Sequence, residues 1–287
     1  MRIHELAEIS AWDWPPDAAA DILAVLEDQS SPSSDRELAA ELAGDLIVLN
    51  DQLAEALLRI LQDENESRFL RGQAAISFGA ALEEADIEGY TEREDPAVSG
   101  ALLEEAKDVL KEVFQDRGAP KEVRRRALEA SVRAFAPWHT AAIRAAYNNA
   151  DPEWNLTAVF CMRFVRGFDR EVVEALDSED PGVLYQAVLA AGEQMVPGAW
   201  FRVRAMVIAA AEGRPILPDD PEGEWSLLMA AMHAVAVIRP HEATRILGWF
   251  TESEDQELAN AAYEAMEIAH GLAADGGDPW GEEPTWH

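Results

Sequence analysis

Arginine is the residue in this chain best supplied for chemistry. Arg124, Arg125 and Arg126 stand in a row, Arg133 follows two helical turns later, and Arg163 and Arg166 come further on. A guanidinium grips a carboxylate or a phosphate with a two-pronged fork, so six of them on one wall would suit an acidic or phosphorylated ligand. The same side chains can instead neutralise acidic neighbours such as Glu129 and Glu153. Histidine offers a second chemistry. His4-Glu5 and His241-Glu242 pair imidazole with carboxylate, two side-chain types that bind metal ions. Six histidines in so glutamate-rich a chain give about one such pair by chance, so two pairs make no ligand set. His139 at a helix start, His233 on an apolar face and His270 near a helix end read as structural residues. The single cysteine, Cys161, rules out an intrachain disulfide and reads as a small buried filler. With no glycine-rich phosphate loop and no nucleophile motif, the sequence assigns no catalytic residue, no metal ligand and no cofactor.

What must position the arginines is a series of short helical hairpins. In Val172–Glu193, Val172, Val173 and Leu176 close one helix, Asp177–Asp180 turn the chain, and Pro181 opens the next helix. Leu184, Ala187, Val188 and Ala191 then recur at helical spacing. Two helices this short and alanine-rich cannot bury their apolar faces alone, so each hairpin needs neighbours of its own kind. The prediction is an all-α chain, an α-solenoid of about seven hairpins over residues 17–272. Residues 1–16, with Trp12, Trp14 and Pro15-Pro16, form an N-terminal arm or cap, and 273–287 read as a disordered acidic tail. Segments 86–98 and 212–224 are rich in Gly, Pro and acidic residues and read as non-helical insertions. Second helices align on Leu42, Ala74, Ala127, Ala158, Ala187, Ala230 and Ala262, where a small side chain lets two helix axes approach.

The corners Asp177–Val183 and Asp151–Trp154, and the helix starts Leu70-Arg71 and Val123-Arg124, resemble HEAT-like repeats of phycobilin-lyase-type and bacterial scaffold proteins. The resemblance implies an α-solenoid whose second helices line a concave surface; it implies no one activity. The Arg that commonly follows the corner Val is Leu184 here, which interrupts any regular charge ladder. One enzymatic branch of HEAT proteins, deoxyhypusine hydroxylase, holds two irons with His-Glu pairs, and HEAT-like DNA glycosylases use a basic concave groove.

The chain carries 55 acidic residues against 23 Lys and Arg, a formal net charge of −32. Yet Arg117–Arg204 holds twelve basic and eleven acidic residues, so the acidity lies at the two ends. Acidic ends oppose a long duplex, which argues against nucleic acid, and no apolar run reaches the ~18 residues of a membrane span. An acidic surface with lysine only at 107, 111 and 121 fits a saline cytoplasm, where salt screens self-repulsion, or a basic partner. The opening MRIHELAEIS has no cationic segment followed by an apolar core, so a cytoplasmic protein is expected. The expected function is a non-enzymatic scaffold that binds a protein or peptide on the concave face, with Arg124, Arg125, Arg126, Arg133, Arg163 and Arg166 as ligand-binding candidates. The alternatives are a HEAT-class enzyme, either a metal-dependent hydroxylase or a nucleobase-processing one, and an acidic mimic of nucleic acid.

Overall fold

The computed structural model describes residues 3–88, 98–217 and 220–274, and every regular element among them is helical. Most of the expected insertion at 86–98, and the expected tail beyond residue 274, lie outside the described residues. The chain forms two compact units, Met1–Ala142 and Ile143–His287.

In the first unit a short helix α1 (Ile3–Ala7) precedes three helical pairs. These are α2 (Ala18–Glu27) with α3 (Ser33–Ala43), α4 (Asp51–Gln62) with α5 (Arg68–Ile76) and α6 (Gly79–Glu88), and α7 (Gly100–Gln115) with α8 (Lys121–Ser131). Helix α9 (Trp138–Tyr147) begins in this unit and ends in the next. The second helices α3, α5 and α8 pack on one another in turn, as do the first helices α2, α4 and α7. The second unit repeats the scheme. Helix α10 (Pro152–Cys161) is followed by the pairs α11 (Asp169–Ala175) with α12 (Pro181–Glu193), α13 (Trp200–Ala211) with α14 (Pro221–Ile238), and α15 (Pro240–Leu247) with α16 (Gln256–Ala274). There α10, α12, α14 and α16 form the row of second helices. Each pair leans on the next, which is the all-α repeat arrangement of an α-solenoid.

Small residues set the helix spacing. Ala74, Ala127, Ala158, Ala187 and Ala262 have no exposed surface, and Ala230 is also buried. Leu42 is not their counterpart. Arg36, Arg71 and Arg124 occupy one structural position, which puts Ala39, fully buried, in register with Ala74 and Ala127, while Leu42 is only half-buried.

In the second unit helices start on Asp-Pro corners. The carboxylates of Asp151, Asp180 and Asp220 accept the amide hydrogens of Glu153, Val183 and Gly223, and the following proline, which has no amide hydrogen to satisfy, fills the first helical position. This corrects the expectation that residues 212–224 are non-helical throughout: α14 starts at Pro221, because proline and glycine are tolerated in a capped first turn.

Sequence pattern predicts one helix over Arg68–Glu84, but the chain breaks at Ser77-Phe78 into α5 and α6. The Ser77 hydroxyl lies 2.7 Å from the Ala40 carbonyl oxygen and 2.8 Å from that of Gln73, so it ties the break to the last turn of α3. Gly44 lets the two turns meet, since a Cβ there would sit 2.7 Å from the Ser77 carbonyl oxygen. Gly44→Val is therefore expected to cost about 1–3 kcal/mol by overpacking, read as a lowered urea midpoint. An unchanged midpoint would show that the turns can part freely.

Candidate functional site

The arginine row on α8 is held inside its own repeat. Arg124 turns back to α7 and donates through Nε to the carbonyl of Phe114 at 2.9 Å, with its guanidinium over the Phe114 ring. Arg36 and Arg71 do the same for Leu26 and Leu61, each from ten residues downstream. The last carbonyls of a helix have no partner in the helix, so each guanidinium serves as a C-cap supplied by the following helix. In the second unit Asn155 takes that position and donates to the Tyr147 carbonyl at 3.3 Å, and at Leu184 the position becomes apolar.

Arg125 is buried. Its Nη1 lies 3.3 Å from Glu122, and Nη2 lies 3.9 Å from the buried Glu129. Arg126 reaches Glu122 through Nε and Glu129 through Nη1, each at 3.0 Å. Burial works against the charge of Arg126, but the carboxylates of Glu129 and Glu122 outweigh it and hold the guanidinium protonated above its ordinary range. Arg133 crosses to α6 and donates to Glu83 at 2.9 Å. These four belong to the first unit, and Arg163 and Arg166 to the second.

Arg163 stands in the most elaborate cluster of the second unit. Its guanidinium lies 5.4 Å from the ring centres of both Phe160 and Phe164. Its Nε and Nη2 grip the Glu193 carboxylate at 2.9 and 2.6 Å, and its Nη1 donates to Gln186 at 3.3 Å. The Gln194 side chain donates to the Arg163 carbonyl. Thus the turn after α10 and helix α12 hold a cation beside two neighbouring half-buried rings, with its fork filled by Glu193 and Gln186. Arg166 is exposed.

Beside this cluster α12 ends on Met195, a non-glycine residue with φ of 48° and 41% exposure. The Val196 amide returns to the Ala191 carbonyl at 2.9 Å, a helix ending that normally places glycine where Met195 stands. Met195→Gly is expected to stabilise the unit by about 0.5–1 kcal/mol, measured by urea unfolding. A loss of stability would mean that the methionine side chain contributes packing worth more than its backbone strain.

Among the described residues the histidines do not converge. His4 lies 3.2 Å from Asp35, His270 lies 3.2 Å from the Thr244 hydroxyl, and His241 is exposed. His233, expected on an apolar face, is exposed as well. Among the described residues no three His, Cys, Asp or Glu side chains are grouped to hold a metal ion. His139 is buried. It accepts the Ala136 amide hydrogen on Nδ1 at 2.9 Å, its Nε2 faces the Ser131 hydroxyl at 3.1 Å, and Ser131 donates to Leu128. Cys161 is fully buried. Sequence reasoning named Glu129, which Arg125 and Arg126 meet, but overlooked the acidic partners one repeat away. Arg36–Glu66 and Arg163–Glu193 are each 30 residues apart, so opposite charges spaced by one repeat were the signal that identifies both.

No protein-family model matches the sequence, nor does any curated protein. Among solved structures the chain is similar to an engineered protein, at 17% identity and a TM-score of 0.36, over 90% of this chain and 98% of that one. It is also similar to human deoxyhypusine hydroxylase in complex with glycerol, at 14% identity and a TM-score of 0.39, over 94% of this chain and 88% of that one. Among the described residues no helix is long and apolar enough to cross a membrane.

Proposed function

We propose that this chain is a non-enzymatic interaction scaffold that holds a segment of a partner protein along its second helices, the side that is concave in α-solenoids. What supports the reading is the α10–α12 cluster. Phe160 and Phe164 are half-buried, and Arg163, held in place by Glu193 and Gln186, fixes a rigid cation beside them. Rigid aromatic and arginine side chains are the anchors on which protein interfaces concentrate their energy. Arg124, Arg125, Arg126 and Arg133 shape the first unit's second helices, and Arg163 and Arg166 are the candidates for direct contact.

The test is selection of a displayed random-peptide library against the protein, followed by titration of enriched peptides. Phe164→Ser and Arg163→Gln are each expected to weaken them by about tenfold or more at 25 °C, where circular dichroism shows both variants folded. A library that yields no binder, or binders indifferent to both substitutions, would overturn the proposal. Stoichiometric iron in protein purified without added metal would favour the hydroxylase alternative instead.

A further inference from the structure

The outer edge of the first unit is a second surface, distinct from the second-helix face, and the geometry points to it as a dock for a basic amphipathic segment of a partner protein. A groove of about 360 Å³ runs between the N-terminal arm and the end of α3. Its apolar part is built by Leu6, Ile9, Trp14 and Leu42, and its charged part by Glu41 and Asp45. Among the described residues no basic side chain lines it. The arm is fixed against this edge, because Leu6 is fully buried and the Trp14 indole donates to the Leu6 carbonyl at 2.9 Å.

The edge is apolar where a repeat array usually ends on a polar surface. Ile9, Leu46 and Ile47 are each more than 40% exposed, and Trp12 is 86% exposed. Glu8, Asp13 and Asp17 add exposed carboxylates to the same arm. An apolar floor bounded by negative charge selects an occupant with an apolar face flanked by lysine or arginine.

Charge also decides among occupants. A second copy would bring an identical acidic edge and a net charge of −32 of its own. The chain's own residues 275–287 carry Asp275, Asp278, Glu282 and Glu283 with no lysine or arginine, so they too would meet like charge. A nucleic acid backbone is repelled for the same reason.

The experiment titrates the whole protein with three labelled peptides of about 18 residues, enough for roughly five helical turns. They are a leucine-lysine amphipathic helix, a serine-lysine peptide of the same charge, and a leucine-glutamate helix. The leucine-lysine peptide is expected to bind about tenfold or more tightly than the serine-lysine one, and the leucine-glutamate peptide not at all. The exposed substitutions Ile9→Ser with Ile47→Ser, and separately Glu41→Lys, are expected to weaken leucine-lysine binding by about tenfold each while circular dichroism and melting stay unchanged. Equal binding of the leucine-lysine and serine-lysine peptides, or indifference to both variants, would overturn the inference. So would sedimentation showing a dimer that Ile9→Ser with Ile47→Ser dissolves, since a second copy would then be the occupant. None of these results bears on peptides selected by the α10–α12 cluster, so the two surfaces fail or stand separately.

Discussion

Glu66→Ala is expected to destabilise the first unit by about 3–5 kcal/mol, a large share of what holds a domain of this size together. The Glu66 carboxylate meets Arg36 in a two-pronged pair at 2.7 and 2.8 Å, and both side chains are at least 85% buried. Removing the acid leaves a largely buried guanidinium with the Leu26 carbonyl at 3.1 Å as its remaining hydrogen-bond acceptor and the Asp28 and Asp63 carboxylates acting on it only through space. Replacing both partners by leucine is a different perturbation. It removes the stranded charge along with its partner, and the second unit already places Leu184 at the position equivalent to Arg36. The double variant Arg36→Leu with Glu66→Leu is therefore expected to recover most of the loss. Urea unfolding at pH 7 reads both. A single variant within about 1 kcal/mol of wild type would mean that the pair behaves as an exposed one.

The second large effect is a loss of stability in mild acid through His139. Desolvation lowers its pKa from 6.5 to about 4. The hydrogen bonds explain why it stays neutral. With the Ala136 amide pointing at Nδ1, the ring's one proton sits on Nε2 and faces Ser131, and a second proton would meet an amide hydrogen. Because the folded pKa lies below the unfolded one, the unfolded chain takes up a proton first as the pH falls below 6.5. Stability then declines until the folded ring also titrates near 4, a total of about 3 kcal/mol. Near pH 7.5 the group has no effect. Carboxylates titrate in the lower part of the same range, so the comparison is with His139→Gln, measured by urea unfolding at pH 7.5, 6 and 4.5. Wild type should lose about 2.5 kcal/mol more than the variant between pH 7.5 and 4.5. Parallel losses would show that His139 is protonated in the folded state.

Much of this architecture was legible because it rests on local chemistry. The Asp-Pro corners at 151–152 and 180–181 announce a cap and a first helical turn within two residues, and alanines at helical spacing announce close packing. Where several local readings compete, the sequence misleads. Leu38-Ala39-Ala40-Glu41-Leu42-Ala43 offers two small-residue registers, and only the reach of Arg36 to Leu26 selects Ala39. The break at Ser77 depends on the Ala40 carbonyl, 37 residues away, and no short window contains it. The arginines were visible as a cluster with Glu129 beside it, but Glu193, 30 residues from Arg163, was not. Arg124 is spent on a helix end and Arg125 on neighbouring acids, whereas an arginine presented to a ligand has the same local sequence. The groove at the N-terminal edge was hidden for a related reason, since the exposure of Ile9 follows from what fails to cover it.

The account stands or falls on whether partners are held by the second helices. Site-specific photo-crosslinking in the native cell tests this most directly, with a benzophenone amino acid placed at Phe164 on the α10–α12 side and, as a control, at the exposed Arg170 on α11. The account predicts a discrete protein adduct at 164 that is absent at 170 and is competed by the selected peptides. Adducts of equal strength at both positions, or none at 164, would contradict it.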